Sequence, residues 1–319
     1  MNKGYQVLIL DDLSNSSLEV LEGIRKITSN EPLFVQLDLK EQDKVKQLFE
    51  EHYDIDSVLH FAASKAVGES VKKPIDYYQN NITGLLNLIK SLSHPINFVF
   101  SSSCTVYGQA SKLPITESTP TQRPESPYGN TKKICEEIIE DAVLAESNLK
   151  AICLRYFNPI GAHPSGMIGE NPKDVPQNLV PFVTQSAIGK LPPLTVYGND
   201  YPTPDGTCIR DYIHVMDLAE AHCAALEYCE QQASGSDMSV VNLGTGKGYS
   251  VLEVITSFER VSGRDLNYTI GPRREGDIIA AFASIEKAQK VLNWTPKYNL
   301  DDALASAWIW EQKNNSETN

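Results

Sequence analysis

Phe98-Val99-Phe100-Ser101-Ser102-Ser103-Cys104-Thr105-Val106-Tyr107-Gly108, followed by Ser126-Pro127-Tyr128-Gly129-Asn130-Thr131-Lys132, decides how this chain reads. An apolar run ending in hydroxyls is a buried strand whose last residues reach an exposed edge. Ser126 and Pro127 then supply an N-cap and a first-turn proline, which predicts a helix over Pro127–Glu146. Tyr128 and Lys132, at i and i+4, share one face of that helix. Of the fourteen tyrosines only Tyr128 has lysine at i+4, and the serine strand end lies 25 residues upstream, the reach of one loop. The group reads as a place where a proton and a hydride move at a carbinol. The positive helix end and the nearby ammonium both favour phenolate, drawing a pKa of about 10 toward that of a general base.

Outward from this stretch, short apolar runs alternate with helical patterns. Val7–Leu10, Leu33–Leu37, Val58–Phe61, Phe98–Phe100 and Ala151–Tyr156 read as strands; Asp43–Glu51, Pro74–Ser91 and Pro127–Glu146 read as helices. This βαβ punctuation predicts a parallel sheet covered on both faces. Beyond Asn158 the pattern gives way to Gly- and Pro-rich stretches, Asn158–Pro176 and Tyr197–Gly206, of the kind that build a substrate pocket. A helix over Asp217–Cys229, a strand over Val240–Leu243 and a helix over Ser250–Ser262 follow, and Lys313–Asn319 reads as a short polar tail.

Composition sets the outer limits. The 319 residues suffice for one large domain or two modest ones, and 28 basic against 41 acidic side chains argue against nucleic acid or an anionic membrane as partner. Six cysteines with no C-x-x-C pair and no metal-type spacing read as reduced thiols of a cytoplasmic protein; no metal site is expected. No apolar run reaches membrane-spanning length.

A dinucleotide-binding sheet opens with a strand, a glycine-rich turn and a helix, and an acid that binds the adenosine ribose follows about 20 residues later. Leu8-Ile9-Leu10-Asp11-Asp12 matches the second strand and its acid. Counting back places the glycine turn before Met1, so the first strand, the turn and most of the first helix are expected to be missing from the chain as given. In the strand order 3-2-1-4-5-6 the missing strand is central, so the sheet is expected to be split and NAD weakly retained. Asn242-Leu243-Gly244-Thr245-Gly246-Lys247-Gly248 is no substitute. No acid-ended strand follows it at the required distance, and it reads as a tight turn.

The chain resembles the extended short-chain dehydrogenase/reductases, and within them the UDP-glucose 4-epimerase family, from about Tyr5 to Trp310. The resemblance rests on the serine run, Tyr-x-x-x-Lys, His60-Phe61-Ala62-Ala63, Lys65–Ser70 and Arg155–Pro164. Gly198–Tyr201, Arg210–Val215 and Arg273-Arg274-Glu275-Gly276-Asp277 extend it. It implies a Rossmann-like doubly wound α/β fold with a smaller α/β substrate domain. Residues 1–158 would bind NAD and residues 159–319 the nucleotide sugar, with about 210–245 returning to the sheet domain.

The implied activity is interconversion of UDP-glucose and UDP-galactose through a 4-keto sugar, with NAD kept bound. Tyr128 would be the base, Ser103 would bond the 4-oxygen, and Lys132 would hold the nicotinamide ribose and lower the Tyr128 pKa. Asp11, Asp12, Asp38, Leu39, Phe61, Ala62, Lys65, Asn80, Lys132 and Tyr156 would contact NAD. Asn158, Asn178, Leu179, Arg210, Arg274 and Asp277 would hold the nucleotide sugar, the arginines supplying guanidinium donors to a diphosphate. Ala281, where many bacterial members carry tyrosine, implies room for N-acetylated UDP-hexosamines. A homodimer through Pro74–Ser91 and Pro127–Glu146 is also implied. An inert fragment or UDP-sugar-binding pseudoenzyme is the competing reading. A 4,6-dehydratase is disfavoured because Cys104 and Thr105 stand where an acid–base carboxyl pair is needed, and a decarboxylase fits the Asn158–Pro164 stretch less well.

Overall fold

The computed structural model describes residues 1–145, 149–233, 237–274 and 277–318; Glu146, Glu275, Gly276 and Asn319, named above, lie outside them. The first half runs β1 (Leu8–Asp11), α1 (Glu19–Thr28), β2 (Leu33–Gln36), α2 (Gln42–Glu51), β3 (Ser57–His60), α3 (Val67–Lys72), α4 (Pro74–Ser91), β4 (Ile96–Ser103), α5 (Pro127–Ala145) and β5 (Leu149–Tyr156). The second half runs β6 (Asn158–Ile160), α6 (Leu179–Ala187), β7 (Leu194–Tyr197), β8 (Ile209–Arg210), β9 (Tyr212–His214), α7 (Val215–Gln231), β10 (Ser239–Leu243), β11 (Tyr249–Ser250), α8 (Val251–Ser262), β12 (Tyr268–Gly271), β13 (Ala280–Ala281), α9 (Glu286–Leu292) and α10 (Leu300–Thr318).

The fold is a Rossmann-like α/β arrangement of parallel strands. β3, β4, β5 and β10 form one four-stranded sheet in the order β10-β5-β4-β3, while β1 and β2 pair separately. The split expected between the second and fourth Rossmann strands is therefore present, with β1 and β3 as the two flanking edges among the described residues. Both still pack on one core: Leu8, Leu10 and Val58 lie against the cluster that holds Phe98 and Phe100.

Alternation along β4 explains why helices cover both faces. Phe98 and Phe100 point into a cluster with Leu85 and Leu88 of α4 and Ile139 of α5; Val99 points the other way, with Ile152 and Leu154, onto Ala221 and Ala225 of α7. Each fully buried phenylalanine contributes about 2–3 kcal/mol of burial free energy. β10 brings the chain back beside β5 after the excursion into the second half. There α6, α8, α10 and β7 share a separate core around Phe258 and Trp308.

Three sequence expectations need correction. β4 runs to Ser103, past the Phe98–Phe100 expected, because Ser101–Ser103 pair with Leu154–Tyr156 of β5. The segment left unassigned after β1 forms helix α1, whose Gly23 admits Met167 and Ile168 so closely that a Cβ would meet Ile168 at 2.4 Å. The polar tail is helical to Thr318, and Lys313 Nζ donates to Ser165 O at 2.5 Å. The expected start of α8 has a clear physical basis: Ser250 and Glu253 form a reciprocal capping box, and Gly263 closes the helix in the left-handed conformation, φ +65°.

Candidate active site

The candidate residues gather at the carboxyl ends of the parallel strands, where open α/β sheets bind ligands. Asp11 ends β1, Phe61 and Ala62 follow β3, and Ser103 ends β4 directly opposite Tyr156, the last residue of β5. Ser103 caps the 3-10 turn over Cys104–Tyr107: its Oγ accepts from Thr105 N at 3.3 Å and from Thr105 Oγ1 at 3.0 Å. α5 begins as expected, with Gly129 N donating to Ser126 Oγ at 3.2 Å. Tyr128 in its first turn is buried, and so is Lys132 one turn later.

Burial dominates the electrostatics of this pair. Lys132 Nζ donates to Ser101 O at 2.7 Å and sits 4.9 Å above the Phe100 ring. Burial pulls its pKa down to about 8, against a weaker upward pull from Cys135 and Glu136. Burial also pushes the Tyr128 phenol well above its ordinary range; Tyr156 adds to this, and the nearby Ser103 hydroxyl opposes it. Lys132 is not among the largest influences on Tyr128 here; its ammonium is bonded to the Ser101 carbonyl.

Beneath these residues lies a buried network that sequence reading missed. Glu136, four residues after Lys132, accepts from Ser102 Oγ at 2.5 Å and from Arg155 Nε and Nη2 at 2.9 and 2.5 Å. The Arg155 guanidinium lies 4.8 Å from the Tyr107 ring, whose hydroxyl donates to Asn242 Oδ1 at 2.7 Å. Ser102 and Arg155 adjoin Ser103 and Tyr156, so the network joins α5, β4, β5 and β10 directly behind the site. His222 of α7 is a second missed residue. Its Nδ1 faces Leu218 O at 2.8 Å and must carry the proton, leaving Nε2 to accept from Ser101 Oγ at 3.1 Å. Burial lowers His222 to about 4, so the ring is neutral, and Phe61 leans on it at 4.7 Å. A lone histidine in a helical pattern gave no sequence signal for either contact.

Around the sheet edge, Asp11 Oδ1 accepts from Leu13 N and Ser16 Oγ, and Asp12 Oδ1 from Ser14 N. Asp38 and Asn80 are joined through Lys40, whose Nζ donates to Asn80 Oδ1 at 2.9 Å and pairs with Asp38 at 3.2 Å. Leu39 packs over Gly84 of α4. Phe61 is 55% exposed, an unusual state for a phenylalanine at a strand end and suited to a flat ligand. Carboxylates for ribose hydroxyls, an open aromatic and two lysines form a donor and acceptor set that fits a dinucleotide. The Gly244–Gly246 turn does not offer a phosphate site: Thr245 N and Gly246 N both donate to the buried Asp211 carboxylate, at 2.8 and 3.2 Å. Gly246, φ +78°, supplies the left-handed residue this requires.

The second group lies across the strand ends. Asn158 opens β6 and its N–H donates to Asp211 O; Asn178 and Leu179 begin α6. Arg210 is ion-paired to Asp277 at 3.1 Å and donates from Nη1 to Ile278 O at 2.8 Å, so these two members meet each other. Arg274 is exposed and stacks 4.7 Å from the Tyr197 ring. Ala281 pairs in register with Arg210 but is buried, clustered with Val106, Tyr107, Ile115 and Phe157. No cluster of three or more His, Cys, Asp or Glu able to hold a metal occurs among the described residues.

A family profile described as GDP-mannose 4,6 dehydratase matches residues 1–307. A UDP-glucose 4-epimerase of Bacillus subtilis (strain 168) is 48% identical over 316 residues, spanning 98% of this chain and 92% of that protein. Among solved structures, the UDP-glucose 4-epimerase of Bifidobacterium longum in complex with NAD+ and UDP superposes with a TM-score of 0.93 at 46% identity, covering 98% of this chain and 93% of that one. The UDP-glucose 4-epimerase of Stenotrophomonas maltophila, with bound NAD and formylated UDP-arabinopyranose, gives 0.94 at 42% identity, with 99% and 93% covered.

Proposed function

Because this chain belongs to the extended short-chain dehydrogenase/reductases and, within them, to the UDP-glucose 4-epimerases, we propose that Tyr128, Ser103 and Lys132 carry out its reaction, the NAD-dependent interconversion of UDP-glucose and UDP-galactose. The observation that carries the assignment is their convergence at one strand edge: Ser103 opposite Tyr156, Tyr128 buried in the first turn of α5, and Lys132 fixed to the Ser101 carbonyl. The chemistry that NAD supplies when bound is to accept one hydride from C4 of the hexose and return it. Tyr128 takes the 4-hydroxyl proton as C4 is oxidised and gives one back on reduction. Ser103 hydrogen-bonds the 4-oxygen throughout. Return of the hydride to the opposite face of the 4-keto sugar inverts C4, with no net redox change.

Asp11, Asp12, Asp38, Leu39, Phe61, Ala62, Lys65, Asn80, Lys132 and Tyr156 would hold NAD. Asn158, Asn178, Leu179, Arg210, Arg274 and Asp277 would hold the UDP-sugar, Arg210 and Arg274 facing the diphosphate. The chain divides after residue 158, with 210–245 crossing back to the sheet; the pairing of β10 with β5 supports this. Acceptance of N-acetylated hexosamines is proposed on the small side chain at Ala281, which itself packs buried against Val106, Tyr107, Ile115 and Phe157. A homodimer through α4 and α5, which pack together, is supported by Ile75 at 73% and Leu144 at 72% exposure. No helix among the described residues is long and apolar enough to cross a membrane, and six free thiols suit the cytoplasm.

The profile named for a dehydratase does not favour dehydration. Elimination calls for carboxyl acid–base groups after the catalytic hydroxyl. Here Cys104, its thiol pushed up to about 12 by burial, and Thr105, bonded to Ser103, hold those places. Tyr128→Phe tests the assignment: UDP-galactose turnover should fall about 10²–10⁴-fold while UDP affinity is retained. Undiminished turnover by the phenylalanine variant would remove Tyr128 from the reaction.

A further inference from the structure

The segment from 162 to 178 straps the second half of the molecule onto the cofactor edge of the first. Lys173 Nζ donates to Leu13 O and Ser14 O, at 2.9 and 3.1 Å, in the loop after β1. Three residues earlier, one carboxylate oxygen, Glu170 Oε1, accepts from Lys65 Nζ at 3.0 Å and from Asn178 Nδ2 at 3.1 Å. Lys65 comes from the loop between β3 and α3; Asn178 stands at the start of α6. The main chain at this point is pinned separately. Trp310 Nε1 of α10 donates to Glu170 O at 3.1 Å, and the indole packs so tightly on Gly169 that a Cβ there would meet it at 2.5 Å.

An exposed lysine–glutamate pair is ordinarily of small consequence, and Lys65 is largely exposed. This pair differs in two respects: a neutral amide from the other half of the molecule shares the same oxygen, and the backbone beneath the carboxylate is immobilised by α10. We propose that Glu170 is a positioning residue that couples the cofactor to the nucleotide sugar, by holding Lys65 and Asn178 on a single carboxylate oxygen. The proposal rests on the assignment of Lys65 to NAD and Asn178 to the UDP-sugar. A ligand that fixes Lys65 also fixes the carboxylate, and through it the amide that the second ligand meets already oriented. By linkage, each ligand then tightens the other by the same factor.

The test measures UDP affinity by calorimetry with and without saturating NAD, and NAD affinity with and without UDP, for wild type, Glu170→Gln and Lys65→Met. In the wild type each ligand should tighten the other about fivefold, at the low end of measured couplings. In Glu170→Gln the factor should fall below about twofold, with the thermal midpoint of the unliganded protein unchanged. Lys65→Met, which breaks the bridge from its other end, should abolish the coupling too. In Glu170→Gln the KM for UDP-galactose should rise while kcat stays close to wild type. A wild type that binds both ligands without coupling, or a Glu170→Gln variant that keeps the full factor, overturns the proposal and leaves the function intact. A wild type that binds neither NAD nor UDP overturns the site assignment and the proposal together.

Discussion

Replacing Lys132 by methionine should stabilise the protein near pH 7 while removing its turnover. Lys132 is 3% exposed, and burial lowers its ammonium from 10.5 to about 8. Keeping that charge in the folded state therefore costs about 3 kcal/mol relative to the unfolded chain. Methionine keeps most of the aliphatic packing and gives up the bond to Ser101 O, a loss of about 1 kcal/mol. The net gain at pH 7 is about 2 kcal/mol. The sign of the pH dependence follows from the lowered value: between about 8 and 10.5 the unfolded chain holds the extra proton, so wild-type stability rises with pH through that window. The advantage of methionine is thus full below about 8 and gone near 10.5, where only the lost hydrogen bond remains. Urea unfolding of both proteins at pH 7 and pH 10, followed by far-UV circular dichroism, measures the difference twice. A methionine variant less stable than wild type at pH 7, or a difference that does not shrink by pH 10, would refute the reasoning.

Glu136→Gln should cost about 3–5 kcal/mol, because it leaves the buried Arg155 guanidinium without its counter-charge. The double variant Glu136→Leu/Arg155→Met should cost less than either single change, and urea midpoints of the set decide it. If Ala281 leaves room beside the hexose, the wild type should turn over UDP-GlcNAc as well as UDP-galactose, and Ala281→Tyr should suppress the first more than the second. A coupled assay showing no UDP-GlcNAc turnover by the wild type ends that reading.

How much of the fold the sequence displays depends on the length of each element. β4 and β5 are eight residues each and dense in apolar side chains, and α4 and α5 carry proline at their starts, so all four are legible. β8, β11 and β13 have two residues each. No alternation can register over so short a span; they exist because Ile209 and Arg210 are flanked by chain from Tyr249–Ser250 and Ala280–Ala281. α1 escaped because its docking depends on Met167 and Ile168, far along the chain. The polar end of α10 misled for the converse reason: its helicity is supported by Lys313 reaching Ser165 O, which composition cannot reveal.

The candidate site divides along a similar line. Identity and spacing are local, so Ser103, Tyr128 and Lys132 could be found from residues alone; ionisation is set by burial and by where an ammonium turns, and neither is local. The sequence places a cation one turn from a phenol. In the fold the cation goes to Ser101 O, and the phenol, enclosed with Tyr156, becomes harder to ionise. A phenol raised by burial stays protonated at neutral pH, and positive charge brought close to it favours the phenolate. The 2.7 Å bond that holds the Lys132 ammonium belongs to the same strand end that Glu136 and His222 brace from behind through Ser102 and Ser101.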